Sequence, residues 1–151
     1  MAYKYGVDNR RSNKSKKFNI LIVDDDKISA ELFQDFLALR GHNVSSANEG
    51  VKCISQCLKN NYDIIFLDYH IGDINGVELA DCLKSALNVK SKIYAYTGDD
   101  SPDSMKKFRE IGMNGVVIKP LTLAGMDNIM SNMENEGKNT TNKQTSNIIY
   151  F

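Results

Sequence analysis

Four short apolar runs, each closing on a residue able to do chemistry, constrain this chain more than anything else in it. Asn19-Ile20-Leu21-Ile22-Val23 runs into Asp24-Asp25-Asp26, and Ile64-Ile65-Phe66-Leu67 runs into Asp68. Lys92-Ile93-Tyr94-Ala95-Tyr96 precedes Thr97, and Gly115-Val116-Val117-Ile118 precedes Lys119. Runs this short, β-branched or aromatic and apolar at nearly every position, read as strands buried on both faces, the pattern of a parallel sheet. Parallel strands bring their carboxyl ends to one edge, where open α/β sheets bind ligands. Asp24, Asp25, Asp68, Thr97 and Lys119 are therefore expected to meet, although far apart in sequence. Acids that can hold a cation, a hydroxyl and an ammonium form a set suited to a phosphoryl group on a carboxylate.

The rest of the chain fits one domain with tails. Its 151 residues suffice for a single core. Strand and helix signals alternate five times, which argues for helices on both faces of a parallel sheet. Helices are expected from Lys27 to Arg40, with Ile28, Leu32, Phe36 and Leu39 inward and Gly41 as the stop. Others should run from Glu49 to Asn60 (Val51, Ile54 and Leu58 inward) and from Val77 to Leu87 (Val77, Ala80 and Leu83 inward). Ser101-Pro102 supplies an N-cap and a first-turn proline for a helix to Ile111, stopped by Gly112. Thr122 should start the last helix, with Leu123, Met126, Met130 and Met133 inward. Asn43 to Ala47 reads as a weak edge strand, and Tyr69 to Gly76 as a loop. Residues 1–17 read as a flexible basic arm, 18–134 as the folded domain, and 135–151 as a disordered polar tail with a frayed apolar end.

Charge excludes some functions. The formal net charge of zero hides six basic residues against one acid in positions 1–17, which leaves 13 basic and 18 acidic residues in the remainder, a net of −5. A nucleic-acid surface on the folded part is not expected. Cys53, Cys57 and Cys82 form no CxxC pair and no metal spacing with His42 or His70, so they read as reduced thiols. No apolar signal core or membrane-length stretch is present. The expected setting is soluble and cytoplasmic, with nuclear access left open by the basic arm.

At the sheet edge, clustered carboxylates repel one another and persist with a cation or with raised pKa values. Hard oxygen ligands without a His or Cys set favour Mg²⁺, with Asp25 and Asp68 as the leading pair. Asp26 reads instead as the N-cap of the first helix. Lys119 is placed to pair with Asp68 and with phosphoryl oxygens. Gly98 leaves room beside the Thr97 hydroxyl.

Over about Lys17 to Met133 these residues, in this order and spacing, resemble the receiver domain of two-component response regulators. The resemblance implies a flavodoxin-like (βα)5 doubly wound sheet with strand order 2-1-3-4-5. It implies Asp68 as phosphoacceptor and Asp24 and Asp25 as the acidic pair. Mg²⁺ would sit on Asp25, Asp68 and the His70 backbone carbonyl, with Asp24 beside it. Thr97 and Lys119 would take the phosphoryl oxygens, and Lys119-Pro120 would be cis. A histidine kinase or histidine-phosphotransfer protein would be the donor in a phosphorelay, with no catalysis beyond the domain's own phosphorylation and dephosphorylation. The expected form is a single-domain regulator, a monomer or weak dimer, with no nucleic acid or membrane partner. His70 and Asp99 are expected to flank the path of attacking water.

Three departures from the family pattern stand out. Gly72 replaces the usual proline and should loosen the loop. Val116 stands where the switch residue is usually aromatic or His, and no output domain is expected after the last helix. Two other readings compete. One is a docking receiver that works without phosphorylation. The other is an aspartate-nucleophile phosphohydrolase of the haloacid-dehalogenase type, which needs further acids after its lysine, whereas here none precedes Asp127.

Overall fold

A computed structural model of the chain describes residues 16–72, 74–135 and 148–151. Most of the expected basic arm and of the polar tail lies outside these residues.

Five parallel strands form the sheet: β1 (Asn19–Val23), β2 (Asn43–Ala47), β3 (Ile64–Asp68), β6 (Lys92–Thr97) and β7 (Gly115–Ile118). Between β3 and β6 lie two short strands, β4 (His70–Ile71) and β5 (Ile74–Asn75), paired antiparallel. The main sheet runs β2-β1-β3-β6-β7-β8, where β8 (Ile148–Tyr150) is antiparallel to β7. Its parallel part has the expected order. The helices are α1 (Lys27–Leu39), α2 (Gly50–Lys59), α3 (Gly76–Asp81) continued by a π-helical turn (Cys82–Ala86), α4 (Pro102–Ile111) and α5 (Leu123–Glu134).

Both faces of the sheet are buried, as the unbroken apolar runs require. On one face Ile20, Ile22, Phe66, Tyr94, Tyr96 and Val117 pack with α1 and α5. On the other, Leu21, Val23, Ile65, Leu67, Ala95 and Val116 pack with α2, α3 and α4. Caps stand where the sequence places them. Asp26, Ser101 and Thr122 accept bonds from the backbone N–H three residues on. Gly41 and Gly112 end their helices at φ of 96° and 94°, where a Cβ would be strained.

The helix faces need correction. In α1 the buried residues are Ala30, Phe33 and Leu37, whereas Ile28, Leu32 and Leu39 are 72%, 61% and 88% exposed. The helix carries two apolar stripes, and periodicity alone does not say which meets the sheet. In α2 the inward side is Cys53 with Ile54 and Cys57, and Val51 and Leu58 face out. In α5 Ile129 joins Met126, Met130 and Met133, and Leu123 is exposed. The second correction is β8. The end of the expected disordered tail is a strand, with Ile148 wholly buried. Among the described residues no helix is long and apolar enough to cross a membrane.

Candidate functional site

Each site residue stands at the carboxyl end of a strand or within two residues beyond it. Asp24 and Asp25 follow β1, Asp68 ends β3, Thr97 ends β6 and Lys119 follows β7. The parallel register holds these ends level, with Val23 beside Leu67, Asp68 beside Tyr96, and Thr97 beside Ile118. Lys119 N–H also donates to the Thr97 carbonyl at 2.8 Å, which fixes the lysine's stem against β6.

Carboxylate oxygens of Asp24, Asp25 and Asp68 lie within 4.8 Å of one another. The Lys119 Nζ is 3.3 Å from Asp68 Oδ2 and 3.6 Å from Asp24 Oδ2. Asp24 is buried, and its Oδ2 has no hydrogen-bond partner among the described residues. Burial, helped by the neighbouring Asp68, lifts its carboxyl to about 6 against the opposing pull of the Asp26 N–H and Lys119. A buried oxygen that makes no hydrogen bond, in a cluster of three hard oxygen ligands, fits a divalent cation of the Mg²⁺ type. Burial pulls the Lys119 ammonium down, but the charges of Asp68 and Asp24 outweigh it and hold the group above its ordinary value. Lys119-Pro120 is cis.

The loop after Asp68 is tied to the site by backbone hydrogen bonds. Gly72 sits at φ 63°, and its N–H donates to Asp25 Oδ2 at 3.3 Å. His70 pairs with Asn75 across the small hairpin, and Gly76 N–H donates to the Tyr69 carbonyl at 2.6 Å. A Cβ on Gly76 would lie 2.6 Å from the Asp68 carbonyl oxygen, so this backbone approach is open to glycine alone. A proline at this position would have no N–H to offer Asp25.

Thr97 is buried, and its Oγ1 accepts from the Asp99 N–H at 3.1 Å. Asp99 does not stand free to orient water. Its Oδ1 accepts from Ser101 N–H at 2.9 Å and its Oδ2 from the Ser104 hydroxyl at 2.5 Å. These bonds, the Ser104 hydroxyl first, hold its carboxyl below the ordinary range. The residue locks the start of α4. His70 presents an exposed ring against Tyr69, with centroids 4.6 Å apart.

The sequence reading missed Tyr96. Its ring lies under the Lys119 ammonium, 4.4 Å from Nζ to centroid. The signal was an aromatic residue immediately before the strand-end threonine. Asp127, the first acid after Lys119, is paired to Arg40 at the far end of α1 and does not join the cluster of Asp24, Asp25 and Asp68.

The response regulator receiver domain family matches residues 20–131. The chain is 31% identical over 107 residues to the sensor histidine kinase AruS of Pseudomonas aeruginosa, covering 69% of this chain and 11% of that protein. It is 29% identical over 115 residues to the transcription factor SKN7 of Saccharomyces cerevisiae, covering 76% of this chain and 18% of that protein. The chain thus spans between a tenth and a fifth of the length of these relatives. A two-component response regulator from Clostridium difficile superimposes with a TM-score of 0.72 at 24% identity, over 82% of this chain and all of that one. The chain belongs to the response regulator receiver domain family.

Proposed function

We infer that this receiver domain accepts a phosphoryl group on Asp68 from a phosphohistidine of a kinase or histidine-phosphotransfer protein, as one step of a phosphorelay. The observation that carries this reading is the ammonium of Lys119 set 3.3 Å from an Asp68 oxygen, beside two further carboxylates on the same sheet edge. In the transfer the P–N bond to the donor histidine breaks and a P–O bond to an Asp68 oxygen forms, and the imidazole leaves with its electron pair. Asp24, Asp25, Asp68 and the His70 backbone carbonyl would hold Mg²⁺. When bound, the ion offsets the charge on the transferring group. Lys119 supplies a second positive contact, and the Thr97 hydroxyl, accepting from Asp99 N–H, keeps its own proton for a phosphoryl oxygen. Positioning and electrostatics do the catalysis. The domain promotes only its own phosphorylation and dephosphorylation.

The donor's docking surface is the exposed stripe of α1. Ile28 and Leu32 stand within two turns of the Asp26 cap and so beside the acidic cluster. A continuous apolar strip next to a reactive carboxylate suits a partner helix laid across it. Leu32→Glu is expected to slow transfer from a histidine-phosphotransfer protein carrying labelled phosphate by about tenfold, a loss of about 1.4 kcal/mol. It should leave phosphorylation by acetyl phosphate unchanged. Equal slowing with both donors would place the effect in the site and remove α1 from the docking surface.

A further inference from the structure

β7 is the last parallel strand, and an open edge there would present a row of backbone donors and acceptors to any extended chain. Residues 148–151 fill that row. Tyr150 lies opposite Gly115, Ile149 opposite Val116 and Ile148 opposite Val117. Phe151 N–H donates to the Asn114 carbonyl at 3.0 Å. Alternation sends the side chains to both sides of the edge. Ile148 is fully buried in the core shared with α1 and α5, whereas Ile149 packs against the core on the α4 side. Tyr150 meets Tyr94 edge-on at 6.2 Å, and the Phe151 ring lies under the Arg109 guanidinium at 4.7 Å. The receiving strand is cut to fit. A Cβ on Gly115 would lie 2.4 Å from the Ile149 carbonyl oxygen and 3.2 Å from Tyr150 Cα. Glycine weakens a strand interior and marks close approach of another backbone.

These features make a site with a backbone slot, one closed apolar pocket, an aromatic wall and a cation. We propose that the β7 edge is a strand-binding groove, that residues 148–151 are its built-in ligand, and that the same segment of a second copy fills it when its own is displaced. A second copy is the fitting partner because an identical segment satisfies all four contacts at once, and exchange of an identical element needs no new complementarity. While the segment is docked, the edge between α4 and α5 is closed to partner strands. Recognition is left to α1 and the acidic edge. The groove stands independently of the phosphoacceptor reading.

The test separates ligand from groove in the full chain. Ile148→Asp with Ile149→Asp removes the ligand, and Gly115→Val added to that pair blocks the groove. A peptide of residues 146–151 is titrated into each protein while the Val116 and Val117 amide signals are followed by NMR. Saturable shifts are expected in the double variant and none in the triple variant. Binding to the unaltered chain should be weaker by about tenfold or more, because a tethered segment competes at an effective concentration on the order of millimolar. Equal binding to all three proteins, or none to a folded double variant, overturns the proposal. Should the double variant fail to fold, Tyr150→Ala with Phe151→Ala keeps the buried Ile148 and is read in the same way. Peptide binding no tighter than to the unaltered chain then overturns it.

Discussion

Lys119 works through three neighbours. Two carboxylates keep its ammonium charged in a half-buried position, and the Tyr96 ring supplies a floor on the third side. The carboxylates attract the lysine but will be masked in part once a cation or a phosphoryl group arrives. The ring is not, so it holds the ammonium in place through the reaction. A cation–π contact of this kind contributes about 0.5–2 kcal/mol. Tyr96→Leu is therefore expected to slow phosphorylation by acetyl phosphate about fivefold, the rate equivalent of about 1 kcal/mol. Tyr96→Phe, which keeps a ring face, should stay within about twofold. Identical rates for the leucine and unaltered proteins would show that the ring does not position the lysine. The five strand-end residues were legible because each follows an uninterrupted apolar run. Tyr96 was not, because strand alternation points it to the face opposite Thr97. Only a lysine stem reaching back over the strand end brings the ammonium onto the ring.

At the level of elements, caps were legible and faces were not. Asp26, Ser101 and Thr122 announce helix starts through their own short oxygens. An α1 with two apolar stripes gives no such mark, and the inner one is settled by the sheet's shape. The free end of α1 is held to α5 by ion pairs that periodicity cannot show. Arg40 donates to both Glu134 oxygens, at 3.1 and 2.5 Å, and also pairs with Asp127, while His42 Nε2 lies 2.7 Å from Glu134 Oε2. Burial pushes the Glu134 carboxyl up, but the hydrogen bonds from Arg40 and His42 outweigh it and hold the group below its ordinary value. A carboxyl depressed in the folded state adds stability that is complete above its unfolded pKa. That stability is lost as the pH falls through the folded value. Urea unfolding should show Glu134→Gln less stable at neutral pH, with the gap to the unaltered chain narrowing in acid below the ordinary glutamate range. A gap that stays constant into strong acid would mean that the network does not depend on Glu134 ionisation. The end strand β8 was missed for a similar reason. Four apolar residues after a long polar stretch carry no sign of where they dock, and the counterpart signal, Gly115, lies far back in the chain.

For the molecule as a whole, the parallel sheet and the meeting of the acids with the lysine follow from the pattern of the runs, and the strand order follows from the family resemblance. How a phosphoryl group would change the surface does not, because that depends on the packing about β7. Val116 is fully buried and β-branched, and it is paired to Ile149 of β8. A β-branched side chain is restricted at χ1, and Val116 is packed in the core on the α4 side. Phosphorylation should accordingly act near the site. In NMR spectra of the free and beryllofluoride-bound protein with Mg²⁺, shifts are expected around Asp25, Asp68, Thr97 and Lys119. Shifts spread through α4 and α5 would show a rearrangement that Val116 and β8 do not prevent. On the proposed reading, relay of the phosphoryl group is then how the signal would leave the domain. Both the relay and the local response depend on Asp68 as acceptor, and the direct measurement is intact-protein and peptide mass spectrometry after incubation with acetyl phosphate and Mg²⁺. One phosphoryl group is expected, on the peptide containing Asp68, absent from Asp68→Asn and from samples stripped of divalent cation. A phosphoryl group retained by Asp68→Asn, or found on another peptide, would contradict it.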